Sequence, residues 1–463
     1  MKVRILGHLL ALVLVSGALA LQGVQPPHHP RAHGPSRPKP GPRAKPGPRA
    51  RPGPRAKARP KSGPAARTRA KPAVPGTRAE PQAAPRPEMV ELEGAAHLER
   101  FFQGLERLAA PHPEDEVLRV LQFGDSHTAA DLWSGCLRQQ FQTRFGDAGP
   151  GLLLPVRPWR GYHHAGVKEG FSRDWPSFSL RSADTDGMVG LTGGAITLPA
   201  GAVYQVETPF RRFTLQTLGP AEDLPVVLAG AAPEAAAPLQ PLALAAAPAV
   251  PVDGMVLRSF SGTLAGGAKF TIGLPPTSRL LGVDVRTGQA GITYDELGLN
   301  GAELQDLARW NPVLRRALLA QAQPGLLVLA YGTNEMGRDD LDLATLRDQS
   351  AELFTALAAE AGCPILVVGP IDRGAPQRRK LLAVRAGARI VVAALRQAAR
   401  QAGCAFWDGG AAMGGEGAMA RWRQLGWAQK DLVHLTGPGY TRLGQLQFQA
   451  VMRAYEQYRN AQD

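Results

Sequence analysis

Cysteine is scarce in this chain, which has only three in 463 residues. Cys136, Cys363 and Cys404 do not form a disulfide framework, and they show no metal-ligand spacing with histidines or carboxylates. Cys363 and Cys404 each open an apolar strand-like run, so neighbouring parallel strands could bring them together. We expect buried free thiols, with a disulfide in an oxidising compartment as the alternative. The sequence predicts no metal and no cofactor.

Long apolar runs are missing after the first twenty residues, where no segment reaches the roughly 18 apolar residues of a membrane span. The mature chain is therefore not expected to cross a bilayer. Residues 1–20 have the layout of a secretory signal peptide, with Lys2 and Arg4 before an apolar run and Ala18-Leu19-Ala20 at the cleavage position. An uncleaved N-terminal anchor is the alternative. Either way we expect an exported protein of the periplasm or cell envelope.

Residues 21–87 lack apolar periodicity and contain a six-residue repeat, GPRAKP, GPRARP, GPRAKA, from Gly41 to Ala58. This composition buries too little apolar surface to offset its ordering entropy, which predicts a disordered basic Pro-rich linker. The linker has 16 Lys and Arg against one acid, a net +15, whereas residues 88–463 carry −3. The folded part therefore gives no indication of nucleic-acid binding. The tail either contacts anionic envelope polymers or is a solubilising spacer.

From residue 88 the pattern is globular and of two kinds. In 88–167 and 289–463, apolar strand runs alternate with helical stretches, which predicts a parallel sheet covered on both faces. Residues 168–288 have short alternating runs separated by Gly, Pro and Asp, which is typical of an antiparallel sandwich. We therefore expect an α/β fold in three layers (flavodoxin-like) with an inserted β-sandwich that rests as a separate unit beside the active-site rim.

The pattern also predicts individual elements, including one continuous helix from Ser126 to Phe145 with Leu132, Trp133, Cys136, Leu137 and Phe141 facing the core. The expected strands are 116–123, 202–208, 213–218, 255–260, 269–274, 326–330, 365–368 and 405–407, and the other helices are 95–109, 341–361, 376–402 and 440–458. Residues 231–251 are either a long loop or weak strands.

Three short motifs contain residue types suited to acyl transfer. In GDSHT, Ser126 follows an apolar strand and opens a helix, so Ser126 or Asp125 is either a helix cap or, for the serine, a nucleophile. In DLVHLT, Asp431 and His434 are three residues apart, and a carboxylate can hold an imidazole whose other nitrogen reaches a serine. In GTNE, Asn334 follows a strand, where an amide can face a crevice of a parallel sheet.

In their order, GDSHT, LNGA, GTNE and DLVHLT resemble the four blocks of the SGNH, or GDSL-type, hydrolase family. The resemblance implies that Ser126 is the nucleophile and that His434 and Asp431 complete the triad. It also implies an oxyanion hole made by Ser126, Gly301 and Asn334.

Two positions qualify this resemblance. Gly298 is an alternative to Gly301 for the second block. Glu335 replaces the aspartate that commonly follows the third-block asparagine, which leaves the role of Asn334 unchanged.

Within the family, the glycine-rich FGDAGPG (145–151) and the β-insertion are most similar to exported peptidoglycan O-acetylesterases. This implies a serine carbohydrate esterase that removes O-acetyl groups from a cell-envelope polysaccharide. A polysaccharide O-acetyltransferase, a lipase or thioesterase, and a non-catalytic wall-binding protein are the alternatives.

Several other residues near the motifs suggest either a substrate contact or a structural role. His127 is expected to form a structural hydrogen bond rather than bind substrate. The loop with Trp159, Arg160, Tyr162, His163 and His164 either lines a sugar site or is simply exposed, and Trp422 and Trp427 form either a cleft wall or part of the core.

Overall fold

The computed structural model describes residues 89–110, 116–156, 158–159, 161–171, 175–198, 204–206, 210–231, 240–264, 268–374 and 386–462. The expected signal peptide and linker, and Arg160, lie outside the described residues. In the described part of the chain, no helix is both long and apolar enough to cross a membrane.

The described residues form strands and helices with the following bounds. The strands are β1 (Val117–Gly124), β2 (Gly151–Leu153), β3 (Glu169–Phe171), β4 (Ser177–Ser179), β5 (Gly194–Thr197), β6 (Tyr204–Val206), β7 (Arg212–Gly219), β8 (Val226–Ala231), β9 (Gln240–Pro241), β10 (Ala245–Ala246), β11 (Val250–Val252), β12 (Met255–Thr263), β13 (Ala268–Gly273), β14 (Arg279–Arg286), β15 (Gly291–Gly298), β16 (Leu326–Ala330), β17 (Ile365–Gly369) and β18 (Ala405–Asp408). The α-helices are α1 (Glu99–Ala109), α2 (Ser126–Ala129), α3 (Trp133–Phe145), α4 (Pro312–Ala322), α5 (Leu343–Ala361), α6 (Ala386–Gln401), α7 (Gly409–Ala412), α8 (Ala418–Gln424) and α9 (Gly437–Asn460), and short 3₁₀ helices cover Ala95–Leu98, Leu304–Arg309 and Glu335–Gly337.

A five-stranded parallel sheet, in the order β15-β1-β16-β17-β18, organises the α/β part. Side chains alternate across β1, so its two faces enter different cores. Leu121 and Phe123 pack with α4, α5 and α6, whereas Val120 packs with α1, α3 and α9. Helices therefore cover both faces, and the predicted three-layer α/β fold is confirmed.

The region between β1 and β15 forms two antiparallel sheets. An eight-stranded sheet contains β10-β12-β7-β14-β5-β4, with β11 on β12 and β2 on β14, and a five-stranded sheet has the order β3-β6-β13-β8-β9. An apolar core that includes Phe213, Leu215 and Ile272 lies between them. The predicted antiparallel insertion is thus present, and its pairing already begins at β2.

The insertion shares a core with the α/β part instead of resting beside it as a separate unit. Leu218, Leu257 and Leu281 of the eight-stranded sheet belong to the same apolar cluster as Leu121 and Phe123. Removal of the insertion would expose this apolar surface to water. The eight-stranded sheet and the parallel sheet form separate hydrogen-bonded sheets, but they share one apolar core.

The expected continuous helix from Ser126 to Phe145 was wrong. The chain leaves the helix after Ala129 and starts α3 at Trp133, because Asp131 adopts a left-handed conformation with φ 48°. The buried Asp131 carboxylate accepts hydrogen bonds from Ser134 Oγ (2.7 Å) and from Arg138. These bonds stabilise the break, which leaves Leu132, expected in the core, 43% exposed.

The three cysteines are free thiols in the structure. Cys363 and Cys404 are buried, as expected, and burial raises the pKa of each thiol to about 12. Both thiols are therefore protonated and unreactive at neutral pH.

Candidate active site

Ser126 is the first residue of α2, at the carboxyl end of β1. The neighbouring Asp125 is the helix N-cap, since its Oδ1 accepts a hydrogen bond from the N–H of His127 at 2.9 Å. The serine hydroxyl is therefore not used for capping. Its Oγ lies 2.9 Å from Nε2 of His434, which comes from the loop before α9.

Asp431 holds the other side of the His434 ring. Its Oδ2 lies 2.7 Å from His434 Nδ1, and its Oδ1 accepts the N–H groups of Val433 (3.0 Å) and His434 (3.1 Å). Leu432 between them is buried and left-handed, with φ 58°, which turns the chain sharply. Partial burial acts to raise the pKa of Asp431, but the hydrogen bonds from His434 and Val433 outweigh it and lower the pKa. Asp431 is thus a carboxylate that orients His434.

The ring of His127 packs against the ring of His434. The two ring centroids are 5.3 Å apart, and Nδ1 of His127 lies 2.7 Å from the hydroxyl of Tyr440. Burial lowers the pKa of His127, although Asp125 opposes the shift. His127 is therefore a neutral, buried, hydrogen-bonded residue, as the sequence favoured.

Two backbone N–H groups, those of Ser126 and Gly301, are candidates for oxyanion donors. Ser126 opens a helix, so its own N–H has no acceptor within the helix. Gly301 has φ 74°, which favours glycine. Gly298 instead donates its N–H to Glu296 at 2.7 Å, and a Cβ there would lie 2.1 Å from the backbone nitrogen of Ala129. Gly298 is thus a packing glycine, which favours Gly301 as the donor.

Asn334 and Glu335 connect the third-block loop to the loop of Gly301. The Asn334 amide donates one hydrogen to the carbonyl of Ala302 at 2.8 Å, which leaves its second hydrogen for a ligand. The Glu335 carboxylate accepts the N–H of Leu304 at 2.7 Å. Burial raises the pKa of Glu335 to about 7, although the Leu304 bond opposes the shift. These two bonds fix the spacing between Gly301 and Asn334.

Arg181 belongs to the insertion and lies beside Gly301 of the candidate site. The sequence did not indicate this residue. Its guanidinium carbon and Nε are each 3.6 Å from where a Cβ of Gly301 would be. Nη1 donates to Asp306 at 3.0 Å, which directs the rest of the group toward the loop of Gly301. A lone arginine between short strands has no sequence signal, because only the folded insertion brings it here.

The aromatic and histidine loop before the insertion has mixed roles. Tyr162 is buried, and its hydroxyl accepts the N–H of Leu154 at 3.0 Å. His164 is buried too, and burial together with the neighbouring Arg138 lowers its pKa to about 4. His163 is exposed, and its backbone N–H donates to the carbonyl of Ala129 at 3.2 Å, three residues after Ser126.

The remaining aromatic candidates pack with each other. Trp159 contacts Tyr162 edge-to-face at 5.4 Å between ring centroids, and Trp422 contacts Trp427 in the same way at 5.3 Å. Trp422 is buried and donates its indole N–H to Met413 at 3.0 Å. Among the described residues, no group of three or more His, Cys, Asp or Glu is arranged to hold a metal ion.

Ser126, His434 and Asp431 are therefore brought together from both ends of the α/β part. A hydroxyl, an imidazole and a carboxylate form one hydrogen-bonded chain, and the hydroxyl belongs to the first residue of a helix. This arrangement can move a proton off a serine hydroxyl and stabilise a negatively charged oxygen nearby.

Part of the chain matches a known protein family. Residues 276–442 match the model of the GDSL-like lipase/acylhydrolase family, a range that contains Gly301, Asn334, Asp431 and His434 but not Ser126. A search of curated sequences gives no match.

Among solved structures, one match is similar in fold over most of both chains. A peptidoglycan O-acetylesterase superposes with a TM-score of 0.62 at 22% identity, over 79% of this chain and 99% of that one. An acetyl xylan esterase gives a TM-score of 0.28 at 16% identity (36% and 83% of the chains), and a lipase/acylhydrolase from Enterococcus faecalis gives 0.26 at 17% identity (35% and 76%). The family-model match thus shows a domain of the GDSL-like lipase/acylhydrolase family at residues 276–442, and the chain is a hydrolase of ester bonds.

Proposed function

We propose that this protein is an exported serine esterase that removes O-acetyl groups from a cell-envelope polysaccharide, namely peptidoglycan. The observation that carries the proposal is the hydrogen-bonded chain from Ser126 through His434 to Asp431. The fold likeness to a peptidoglycan O-acetylesterase over almost all of that protein favours this substrate class. The signal-peptide layout of residues 1–20 supports the location in the periplasm or cell envelope.

In the first step, Ser126 Oγ attacks the acetyl carbonyl carbon while Nε2 of His434 takes the hydroxyl proton. The neighbouring Asp431 carboxylate stabilises the resulting imidazolium. The carbonyl oxygen becomes an oxyanion that the N–H groups of Ser126 and Gly301 and the amide of Asn334 stabilise. Collapse of this intermediate expels the sugar oxygen, which receives the proton from His434.

In the second step, water replaces the sugar hydroxyl. His434 takes a proton from the water as its oxygen attacks the acetyl-Ser126 ester, and a second oxyanion forms in the same place. Expulsion of Ser126 Oγ, which regains its proton from His434, releases acetic acid and restores the free enzyme.

The triad is tested with p-nitrophenyl acetate. Ser126→Ala and His434→Ala are each expected to lower kcat by at least about 10⁴-fold, because each removes a group that acts only with the other. Ser177→Ala is the matched control, since Ser177 is an exposed serine of the insertion that bonds Pro158. Turnover near that of the unmodified protein in either folded triad variant would contradict the assignment.

The substrate is tested separately by acetate release from O-acetylated peptidoglycan. We expect release from this material and none from the same material after mild alkaline removal of its esters. Transfer of acetyl groups to a sugar without net acetate release would identify an acetyltransferase and would contradict the hydrolytic proposal.

A further inference from the structure

Arg373 lies between two loops of the candidate active site, although no step of the proposed reaction involves it. It follows β17, which is the neighbour of β16 in the parallel sheet. The carboxyl ends of parallel strands meet at one edge of the sheet, so the residues after β16 and after β17 are close together. Asn334 follows β16, and Arg373 is therefore placed beside the third-block loop.

The side chain of Arg373 contacts the chain on both sides of Asn334. Its Nη1 donates a hydrogen bond to the carbonyl of Thr333 at 2.5 Å. Beyond Asn334, the guanidinium lies against Gly337, where a Cβ would be 2.9 Å from Nη1 and 3.3 Å from Cζ. The turn that contains Asn334 is thus held at both of its ends by one planar group.

The turn between these two contacts is short. The N–H of Gly337 donates to the carbonyl of Asn334 at 2.9 Å, next to a 3₁₀ helix over Glu335–Gly337. A displacement at either end of so short a turn moves the Asn334 side chain as well. The bond from the Asn334 amide to Ala302 is directed to a different loop from the one that contains His434.

The backbone after Arg373 contacts the turn that contains the acid and the base of the triad. The N–H of Gly374 donates to the carbonyl of Leu432 at 2.9 Å. A Cβ at Gly374 would be 2.9 Å from the Cβ of Leu432, so the two stretches of chain are in close contact. Leu432 is the buried, left-handed residue between Asp431 and His434. Arg373 and Gly374 therefore connect the oxyanion side of the site to the acid–base side.

The chain before Arg373 is anchored in the fold. Ile371 and Asp372 are buried, and Oδ2 of Asp372 accepts the N–H of Met419 at 2.8 Å. A side chain that begins at an anchored backbone loses less conformational entropy when it holds its partners in place.

The charge of Arg373 also acts on the histidine beside the nucleophile. Burial is the main cause of the lowered pKa of His127, Asp125 opposes it, and the charges of His434 and Arg373 lower the pKa further. The guanidinium is therefore within electrostatic range of the ring that packs against His434.

We propose that Arg373 is a positioning residue of the esterase, which fixes the Asn334 amide relative to Nε2 of His434. The guanidinium contacts Thr333 and Gly337, so it acts through Asn334 and not by contact with the ester. The inference rests on the proposed serine mechanism, and it is independent of which polymer carries the ester.

The test is a double-mutant cycle of Arg373→Met and Asn334→Ala in the full chain, with p-nitrophenyl acetate as substrate. Arg373→Met alone is expected to lower kcat at least about tenfold with little change in KM, because it displaces a donor that acts in the transition state. In the Asn334→Ala background, the same change is expected to lower kcat less than about threefold, since the group that Arg373 positions is absent.

Two further variants complete the experiment. Arg373→Lys is expected to recover part of kcat, because an ammonium can still donate to Thr333 but cannot cover Gly337 with a planar group. Where Arg373→Met does not fold, Arg373→Lys is compared in both backgrounds, and its smaller loss is likewise expected to vanish with Asn334→Ala. Arg389→Met is the matched control, since Arg389 is an exposed arginine that pairs with Glu416 at 2.5 Å.

Equal losses of kcat in both backgrounds would overturn the proposal, because Arg373 would then act independently of Asn334. A rise in KM alone would overturn it as well, since it would show that Arg373 binds the substrate. Unchanged kcat in folded Arg373→Met has the same consequence. Activity of Ser126→Ala near that of the parent would refute the proposed function, whereas an additive cycle with inactive Ser126→Ala refutes this inference alone.

Discussion

At the scale of single residues, three consecutive residues of the candidate site, Asp125, Ser126 and His127, have different roles. Asp125 caps α2, so Ser126 keeps a free hydroxyl, and His127 supports the ring of His434 without titrating near neutral pH. Adjacent residues along the chain therefore have different roles because their side chains point to different sides of the same helix start.

Asn334 is predicted to act in the transition state more than in substrate binding. Asn334→Ala removes one oxyanion donor, so kcat on p-nitrophenyl acetate should fall about 10²–10³-fold with little change in KM. Asn460→Ala, at the exposed end of α9, is the control. A change in KM alone would show that Asn334 binds the ground state.

Glu335 is predicted to make stability depend on pH. Its pKa is about 7 when folded against 4.5 as the unperturbed value, so the folded protein binds more protons between these pH values. The free energy of unfolding therefore falls as pH rises through this window, by about 3 kcal/mol for the full shift. Glu335→Gln, which keeps an acceptor for Leu304, should remove this part of the pH dependence.

The measurement is denaturant unfolding of both proteins at pH 4.5 and pH 8. The variant should gain stability relative to the unmodified protein at pH 8 only. Glu352→Gln, at an exposed position on α5, should show no such difference. A constant difference at the two pH values would show that Glu335 does not titrate in this range.

At the scale of elements, apolar strands could be predicted from the sequence and polar buried strands could not. Strand β16 was expected at 326–330 and is Leu326–Ala330. Strand β15, Gly291–Gly298, is wholly buried yet contains Asp295 and Glu296. Its sequence therefore lacks the apolar run that indicates a buried strand. The Asp295 carboxylate is compensated by Arg119, a partner far away in sequence. Only the folded structure shows such pairs.

The candidate triad could be predicted from the sequence more easily than the residues around it. Ser126, Asp431 and His434 lie in short motifs whose local geometry follows from a helix start and a tight turn. The sharp break at Asp131 depends on Arg138 and on a backbone N–H at Ala165, contacts that no local pattern encodes. Arg181 likewise reaches Gly301 only through the fold of the insertion.

The insertion is predicted to contribute to polymer recognition through Arg181. Arg181→Gln should lower kcat/KM on O-acetylated peptidoglycan about tenfold, because a cation beside Gly301 can bind an acidic group near the ester. Hydrolysis of p-nitrophenyl acetate should not change. Arg309→Gln is the matched control, since Arg309 also lies near Asp306 (3.8 Å). Equal loss on both substrates would show that Arg181 only supports the loop.

At the scale of the whole molecule, charge is divided between a basic tail and a mildly acidic folded part. The net charges are +15 for residues 21–87 and −3 for residues 88–463. Interactions of exposed charges are long-ranged at low salt and are screened at high salt. The two parts are therefore expected to behave differently toward anionic polymers.

Deletion of residues 21–87 is predicted to weaken retention on anionic wall material without an effect on small-ester hydrolysis. The difference from the full chain should be greatest at low ionic strength and should shrink as salt is added. Sedimentation of both proteins with purified walls across a salt series measures this. Equal retention at low salt would exclude a tether role for the tail.

The position of β1 between β15 and β16 also determines when the parallel sheet can form. Val117 pairs with Gly291, and Val120 pairs with Leu326, so both neighbours of β1 follow the whole insertion in the chain. Contacts between residues so distant in sequence form slowly, because a long loop must close first. During synthesis, Ser126 is thus made early, but its partner His434 is made only shortly before α9. A chain that stops short of residue 434 has the nucleophile and no base, so such partly made copies are expected to leave esters intact.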